Sequence, residues 1–364
     1  MSSRKILILV NRDFVLYNFR IELVERLLAQ GNKVYICLPN GPKVSKMVEK
    51  GCKYIPISID GRGTNPIKDA KLMLEYHKIF KEVQPDMILT YTTKVCIYAG
   101  LVAGWMKIPY IMNVSGLGTA VEQKGVLQPI MLALYKAAAK KAKCVFFQNT
   151  ENQQFFEEHK LYDGNQRLIP GSGVNLHKWN VKDYPSDENG VAFLFIARIL
   201  KEKGIEEYVK TAEAIKKDYP NATFHVLGAC DGNYKKYLQE YQDNGTICYH
   251  GEVQDTAEFL EKAHCTIHPS YYPEGISNVL LESAACGRPV ITTDRSGCRE
   301  TVEDGVTGYM VSQKDTAALI DAVKKFMLLT NEERKGMGLA GRRKVEAEFN
   351  REIVIQAYLE EIKK

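Results

Sequence analysis

"KILILVNRDFVLYNFRIELVERLLAQGNKVYICLP" (residues 5–39) decides the fold class. Its first segment, residues 5–10, is short, aliphatic and bounded by charge, which marks a buried strand. Residues 17–31 place Ile21, Val24, Leu27 and Leu28 at helical spacing, and Gly31 ends the run. Residues 33–39 are again aliphatic. No G-x-G-x-x-G follows the first strand, where "VNRDFV" stands instead, so a dinucleotide-dependent dehydrogenase is disfavoured.

The alternation continues outward. Strands are expected at 54–59, 86–91, 109–116 and 144–149, with helices at 43–51, 66–84, 95–107 and 129–143. A polar, turn-rich stretch, 173–190, reads as an interdomain connection. Strands at 191–199, 222–228, 247–251, 265–270 and 289–294 then alternate with helices at 204–220, 232–245, 256–263 and 277–287. Three helices, 316–329, 331–349 and 351–364, finish the pattern. This is an α/β chain with two doubly wound parallel sheets facing a central cleft. The expected divisions are 1–175, 176–345 and a last helix, 346–364, packing back on the N-terminal domain.

At 364 residues the chain is too long for one ordinary core. Hydrophobic content of 45% and charged content of 26% fit a globular protein. A net charge of +5 is mild and does not call for nucleic acid. Nine scattered cysteines without C-x-x-C argue for a reducing cytosol and against a zinc site. No signal peptide or uncharged run of ~18 apolar residues is visible, so any membrane contact would be peripheral.

"PEGISNVLLE" (273–282) carries the chemistry. Gly275 allows a close turn, Ser277 suits the N-cap of the next helix, and the amides of Gly275, Ile276 and Ser277 would then face an anion. Glu274 and Glu282 bracket that site at a separation on the order of 10 Å, given ~1.5 Å rise per helical residue. Two acids around an anion site suit a nucleoside diphosphate sugar, one acid for the hexose hydroxyls and one for the ribose. Arg198 at a strand end and Lys203 before Gly204 would bind the diphosphate and stabilise the charge it leaves with. Gly171, Ser172 and Gly173 form another loop open to close backbone approach, and Gly228 ends a strand where nucleotides commonly lie. Each feature alone has an ordinary structural explanation, as a turn, a cap or a solvated charge; their company favours a site.

Together "ARILKEKGI", "VLGACDG", "HPSYYPEGISNVLLESAACGRPVITTD" and "GCRETVEDGVTGYMV" resemble glycosyltransferase family 4, the retaining GT-B enzymes with two Rossmann-like domains. The E-x7-E spacing of Glu274 and Glu282 is the most diagnostic mark. The N-terminal half looks like the subgroup that builds capsular, O-antigen and related glycans. The resemblance implies donor binding in the C-terminal domain, with Arg198, Lys203 and Glu274 as the catalytic set and Glu282 on the ribose. It implies neither metal nor enzyme nucleophile and no cofactor beyond the nucleotide sugar, a UDP-sugar, as co-substrate. The expected acceptor is an undecaprenyl-diphosphate-linked saccharide, met by Phe14, Tyr17 and Arg20 and by the backbone of Gly116, Leu117 and Gly118. Many family members carry a histidine in that last loop; this chain does not. Residues 128–143, with Lys136, Lys140, Lys141 and Lys143, could lie on the anionic inner leaflet from the cytoplasmic side or be an ordinary core helix. A sugar-nucleotide epimerase of the same architecture is the rival enzyme class, and a non-catalytic nucleotide-sugar-binding protein the third.

Overall fold

The computed structural model describes residues 3–59, 65–117, 121, 125, 127–230 and 232–364. They form two compact units: Met1–Ser172 with Ile353–Lys364, and Gly173–Glu352.

In the first unit, β1 (Lys5–Leu9), β2 (Lys33–Leu38), β3 (Lys53–Pro56), β4 (Met87–Tyr91), β5 (Tyr110–Val114), β6 (Cys144–Phe147) and β7 (Gln166–Leu168) form one parallel sheet. Its order is β3-β2-β1-β4-β5-β6-β7. The connections reverse direction between β1 and β4. Both faces are covered, which is why the strands read as unbroken apolar runs. Leu7 and Leu9 point into a core with α3 (Pro66–Val83) and α4 (Thr93–Met106). Ile6 and Ile8, one residue out of phase, point into a second core with α1 (Asp13–Ala29). Helix α2 is Val44–Glu49, α5 is Leu127–Ala139 and α6 is Thr150–Glu158.

The second unit repeats the plan with β8 (Ala192–Ile196), β9 (Thr223–Leu227), β10 (Cys248–Tyr249), β11 (Cys265–His268), β12 (Val290–Thr293) and β13 (Gly308–Val311) in the order β10-β9-β8-β11-β12-β13. All its pairings are parallel, and its reversal lies between β8 and β11. The helices are α7 (Ile205–Asp218), α8 (Lys235–Asp243), α9 (Ala257–Lys262), α10 (Asn278–Ala285), α11 (Thr316–Leu328) and α12 (Asn331–Glu348). The last helix, α13 (Arg351–Lys363), returns the chain to the first unit, where Val354, Ile355, Tyr358 and Leu359 join the core under α1. There the buried Asn113 side chain donates to Tyr358 Oη at 2.6 Å and accepts from Gln148 at 3.0 Å. All nine cysteines carry free thiols.

The periodicity places α1 too late and passes over three elements. Helix α1 starts at Asp13, so Phe14, Tyr17 and Arg20 lie on its first turns. Helix α6 is polar and buries little beyond Asn152 and Phe156. Strands β7 and β13 are short edge strands with half-exposed residues. The larger correction concerns 173–190, read as a connection. Residues 173–190 belong to the second unit, and Val174 and Trp179 are buried in its core. Three arginines, of which Arg288 and Arg334 are buried, explain this. Arg288, fully buried, donates to the carbonyls of Lys182, Asp183, Leu260, Glu261 and Cys286 at 2.7–3.1 Å. Arg342 donates to the Trp179 and Ala285 carbonyls, both at 2.7 Å. Arg334 donates to Asp187 at 2.9 Å. A polar segment with few apolar side chains is thereby held through its backbone.

Arg288→Lys keeps the charge but lacks the fork that serves five carbonyls. We expect it to destabilise the second unit by about 2–4 kcal/mol, because buried acceptors lose their donors. Hydrogen exchange should show faster exchange of β8 and β11 amides, with the first unit's amides unchanged.

Candidate active site

The reversal between β8 and β11 gathers the charged residues of the second unit. Beyond β8 the chain exposes Arg198 and then makes a 3-10 turn, Lys201–Lys203, with the Lys203 side chain turned inward and 9% exposed overall. Beyond β11 it runs through Ser270 to Glu274. Two hydrogen bonds lace the segments: Tyr271 N–H donates to the Glu202 carbonyl at 2.9 Å, and the Ser270 hydroxyl donates to the same oxygen at 3.5 Å. Lys203 Nζ pairs with Glu274 Oε1. It also sits 4.7 Å from the Tyr272 ring centroid, while the Arg198 guanidinium sits 5.6 Å from the same ring.

This ammonium is costly to keep charged. Burial pulls the Lys203 pKa down to about 7; the Cys298 thiol works against the shift and the Arg198 charge adds to it. His268, the last residue of β11, is 2% exposed, and burial together with the Lys203 charge holds its pKa down at about 3. Neither His268 ring nitrogen has a hydrogen-bond partner among the described residues.

The loop that carries Glu274 is braced from below. Gly297 has φ +90°, and a Cβ there would collide with the Gly275 carbonyl. Glu300 fixes that brace by accepting from Gly297 N–H at 2.7 Å and from Ser296 Oγ at 3.2 Å. The Ser277 N–H donates to the Gly297 carbonyl at 2.8 Å. The expected three-amide anion site therefore loses Ser277, whose amide is already used. Ser277 does occupy the N-cap of α10, but its side chain makes no capping bond. Ile276 is buried in the apolar core. Gly275 is buried in the same turn.

Glu282 lies on the first turns of α10, and burial raises its pKa to about 7 against the pull of Lys178 and Arg351. Arg351 also donates to the Gly173 carbonyl, from Nε at 3.3 Å and from a terminal nitrogen at 3.1 Å. Gly171 and Gly173 have φ of +60° and +63°. Gly228 abuts the Ala197 carbonyl so closely that a Cβ would collide with it, and its N–H donates to the Gly251 carbonyl at 2.8 Å. The β9 end is thus pressed against the segment that carries Arg198.

The residues assigned to an acceptor lie in the first unit. Phe14 is 49% exposed and packs edge-on to Phe19. Tyr17 carries the ammonium groups of Lys43 and Lys46 over its ring at 5.5 and 5.9 Å. Arg20, expected to meet the acceptor, is instead buried: it donates to the Phe19 carbonyl at 3.0 Å and the Ser172 carbonyl at 3.3 Å, and lies over Tyr91 and Tyr358. The Gly116 carbonyl accepts from Thr93 Oγ1 at 3.3 Å, and Leu117 is buried in the core. Gly118 lies outside the described residues.

The structure thus brings Arg198, Lys203 and Glu274 together, with Gly228 and Gly275 pressed against their loops. Glu282 and Gly173 are linked through Arg351. Phe14, Tyr17, Arg20, Gly116, Leu117, Gly171 and Ser172 belong to the other unit. Tyr272, His268 and Arg351 escaped the sequence reading, whereas Gly297 opens the run "GCRETVEDGVTGYMV" on which the resemblance rests. Only Tyr272 had a signal, an aromatic side chain two residues before the first acid. Among the described residues no three His, Cys, Asp or Glu side chains gather as metal ligands would.

Two family models match the chain. "Glycosyl transferase 4-like" matches residues 5–149 and "Glycosyl transferases group 1" matches residues 179–344. A Campylobacter jejuni N,N'-diacetylbacillosaminyl-diphospho-undecaprenol alpha-1,3-N-acetylgalactosaminyltransferase is 27% identical, covering 94% of each chain. The capsular polysaccharide biosynthesis glycosyltransferase CapM of Staphylococcus aureus is 24% identical over 97% of this chain and 95% of its own. Among solved structures, a sucrose-phosphate synthase from Thermosynechococcus elongatus superposes with a TM-score of 0.79 at 22% identity, covering 98% of both chains. HepE from Anabaena, in complex with UDP and glucose, gives 0.79 at 15% identity, over 99% of this chain and 100% of its own. With two Rossmann-like parallel-sheet units in the GT-B plan and both halves matched, the chain belongs to the family-4-like glycosyltransferases, related to transferases of capsular, colanic-acid and lipid-linked glycans.

Proposed function

We propose that this glycosyltransferase moves a hexose or N-acetylhexosamine from a UDP-sugar, with retention and without a metal, to an undecaprenyl-diphosphate-linked saccharide. The observation that carries the donor half is the grouping of Arg198, Lys203 and Glu274 at the strand reversal of the second unit. The acceptor class is favoured by the Campylobacter jejuni relative, whose name specifies a diphospho-undecaprenol acceptor.

In this reading the donor's arrival exchanges partners. The diphosphate takes the Lys203 ammonium and the Arg198 guanidinium, which frees Glu274 to accept hydrogen bonds from the sugar hydroxyls. Glu282 accepts from the ribose. As the bond from the anomeric carbon to the diphosphate breaks, the two cations hold the developing charge. The acceptor hydroxyl bonds to the same face of that carbon, and its proton passes to the departing phosphate oxygen. Phe14 and Tyr17 at the start of α1 offer an aromatic surface for the acceptor, while Arg20 braces α1 from inside. The basic side chains of Lys136, Lys140, Lys141 and Lys143, with the exposed Ile130 and Trp105, suit a negatively charged leaflet. Among the described residues no helix is long and apolar enough to cross a membrane.

A panel of UDP- and GDP-sugars screened by thermal shift should single out a UDP-sugar, since a donor that binds the native state raises its apparent stability. Incubated alone, that donor should return no epimer; with a lipid-linked acceptor, it should yield product. We expect Arg198→Ala and Lys203→Ala to lower kcat/KM by about 10²–10³, the range for removing a group that stabilises transition-state charge. Near-native turnover in either would overturn the assignment.

Glu282 yields a pH test. Its folded pKa is raised, so the folded state holds a proton that the unfolded state gives up between about pH 4.5 and 7. The resulting loss of stability grows through that window and is complete above it. Glu282→Gln should therefore stabilise the ligand-free protein by about 1–3 kcal/mol near pH 8 and by nearly nothing below pH ~4.5, while weakening donor binding. Thermal midpoints across that range check it; a pH-independent difference would refute it.

A further inference from the structure

We propose that Tyr272 is a positioning residue for the donor diphosphate: its ring face holds the Arg198 guanidinium and the Lys203 ammonium side by side before the donor arrives. The proposal rests on the reading that these two cations take the diphosphate. Both cations lie over one ring, at 5.6 and 4.7 Å from its centroid. The ring's own place is fixed by the backbone, since Tyr272 N–H donates to Ser270 Oγ at 3.2 Å and Tyr271 N–H donates to the Glu202 carbonyl at 2.9 Å. The neighbouring Tyr271 ring takes a third cation, Lys314, at 4.8 Å.

Two like charges held for one ligand repel each other, and one of them is out of water. A second carboxylate would relieve the repulsion but would compete with the diphosphate for the same N–H donors. An aromatic face attracts cations through its quadrupole and accepts no strong hydrogen bond, so it leaves the donors available. The groups facing Lys203 are Glu274 from the loop that carries Tyr272, Arg198 beyond β8, His268 at the end of β11 and Cys298 beside the Gly297 brace. Of these, Glu274 is also assigned to the sugar. Once it turns to the sugar, the ring stays beneath the ammonium at 4.7 Å and favours the charged lysine without formal charge of its own.

Without the ring, Lys203 would lose its proton more readily, and the loss would show where the lysine is closest to neutral. The test is calorimetric titration of UDP into the full chain for the native protein, Tyr272→Phe, Tyr272→Leu and Lys203→Met, at about pH 6 and about pH 8. Tyr272→Phe should bind within about twofold of the native protein at both, and Tyr272→Leu should be weaker by about tenfold near pH 8 and by about twofold near pH 6. Should Tyr272→Leu fail to fold by circular dichroism, Tyr272→Met replaces it. Native affinity in Tyr272→Leu, equal weakening at both pH values, or a Phe variant as weak as the Leu variant would overturn the proposal. Native affinity in Lys203→Met would instead overturn the reading beneath it, so the two failures are told apart.

Discussion

A lysine ammonium held out of water beside one carboxylate organises the second unit. Charge in such a place is tolerated only when paired, and breaking a buried pair typically costs about 3–5 kcal/mol. Lys203 and Glu274 come from different strand-to-helix connections, so their meeting requires two loops to arrive at one point. The hydrogen bonds to the Glu202 carbonyl, the Gly297 brace and the abutment of Gly228 on Ala197 all serve that convergence. The same isolation from water makes the ammonium an eager partner for a diphosphate, because little hydration has to be stripped from it on binding.

The parts visible in the sequence were those written in side-chain apolarity. Lys5–Leu9, Met87–Tyr91 and Cys144–Phe147 are buried on both faces and read as strands at once. Helix α6 and strands β7 and β13 did not, because edges and half-exposed helices carry little periodic signal. The segment 173–190 misled for a different reason. Its hold on the core comes from the buried Arg288 and Arg334 and the partly buried Arg342, and buried arginine is rare enough that sequence patterns discount it.

The site was legible in part. Glu274, Arg198 and Lys203 stood out by their positions after strands, and the structure sets the two cations over one ring and pairs Lys203 with Glu274. Neither the ion pair nor the ring between the cations can be read from spacing, since both depend on how two loops fold over each other. Ser277 shows the converse: a residue of the right type at the right position whose amide a glycine carbonyl had already claimed. Arg20 likewise has the composition of a ligand-binding cation and serves as internal bracing.

The return of α13 to the first unit has a consequence for biosynthesis. Gly173–Glu352 is an uninterrupted stretch and can fold as soon as it leaves the ribosome. The unit synthesised first cannot be completed so early. Until Tyr358 emerges, Asn113 lacks its phenol partner, and the apolar surface later covered by Val354, Ile355 and Leu359 stays open. The unit begun first is thereby completed last, and until then its open apolar surface is exposed to misassociation.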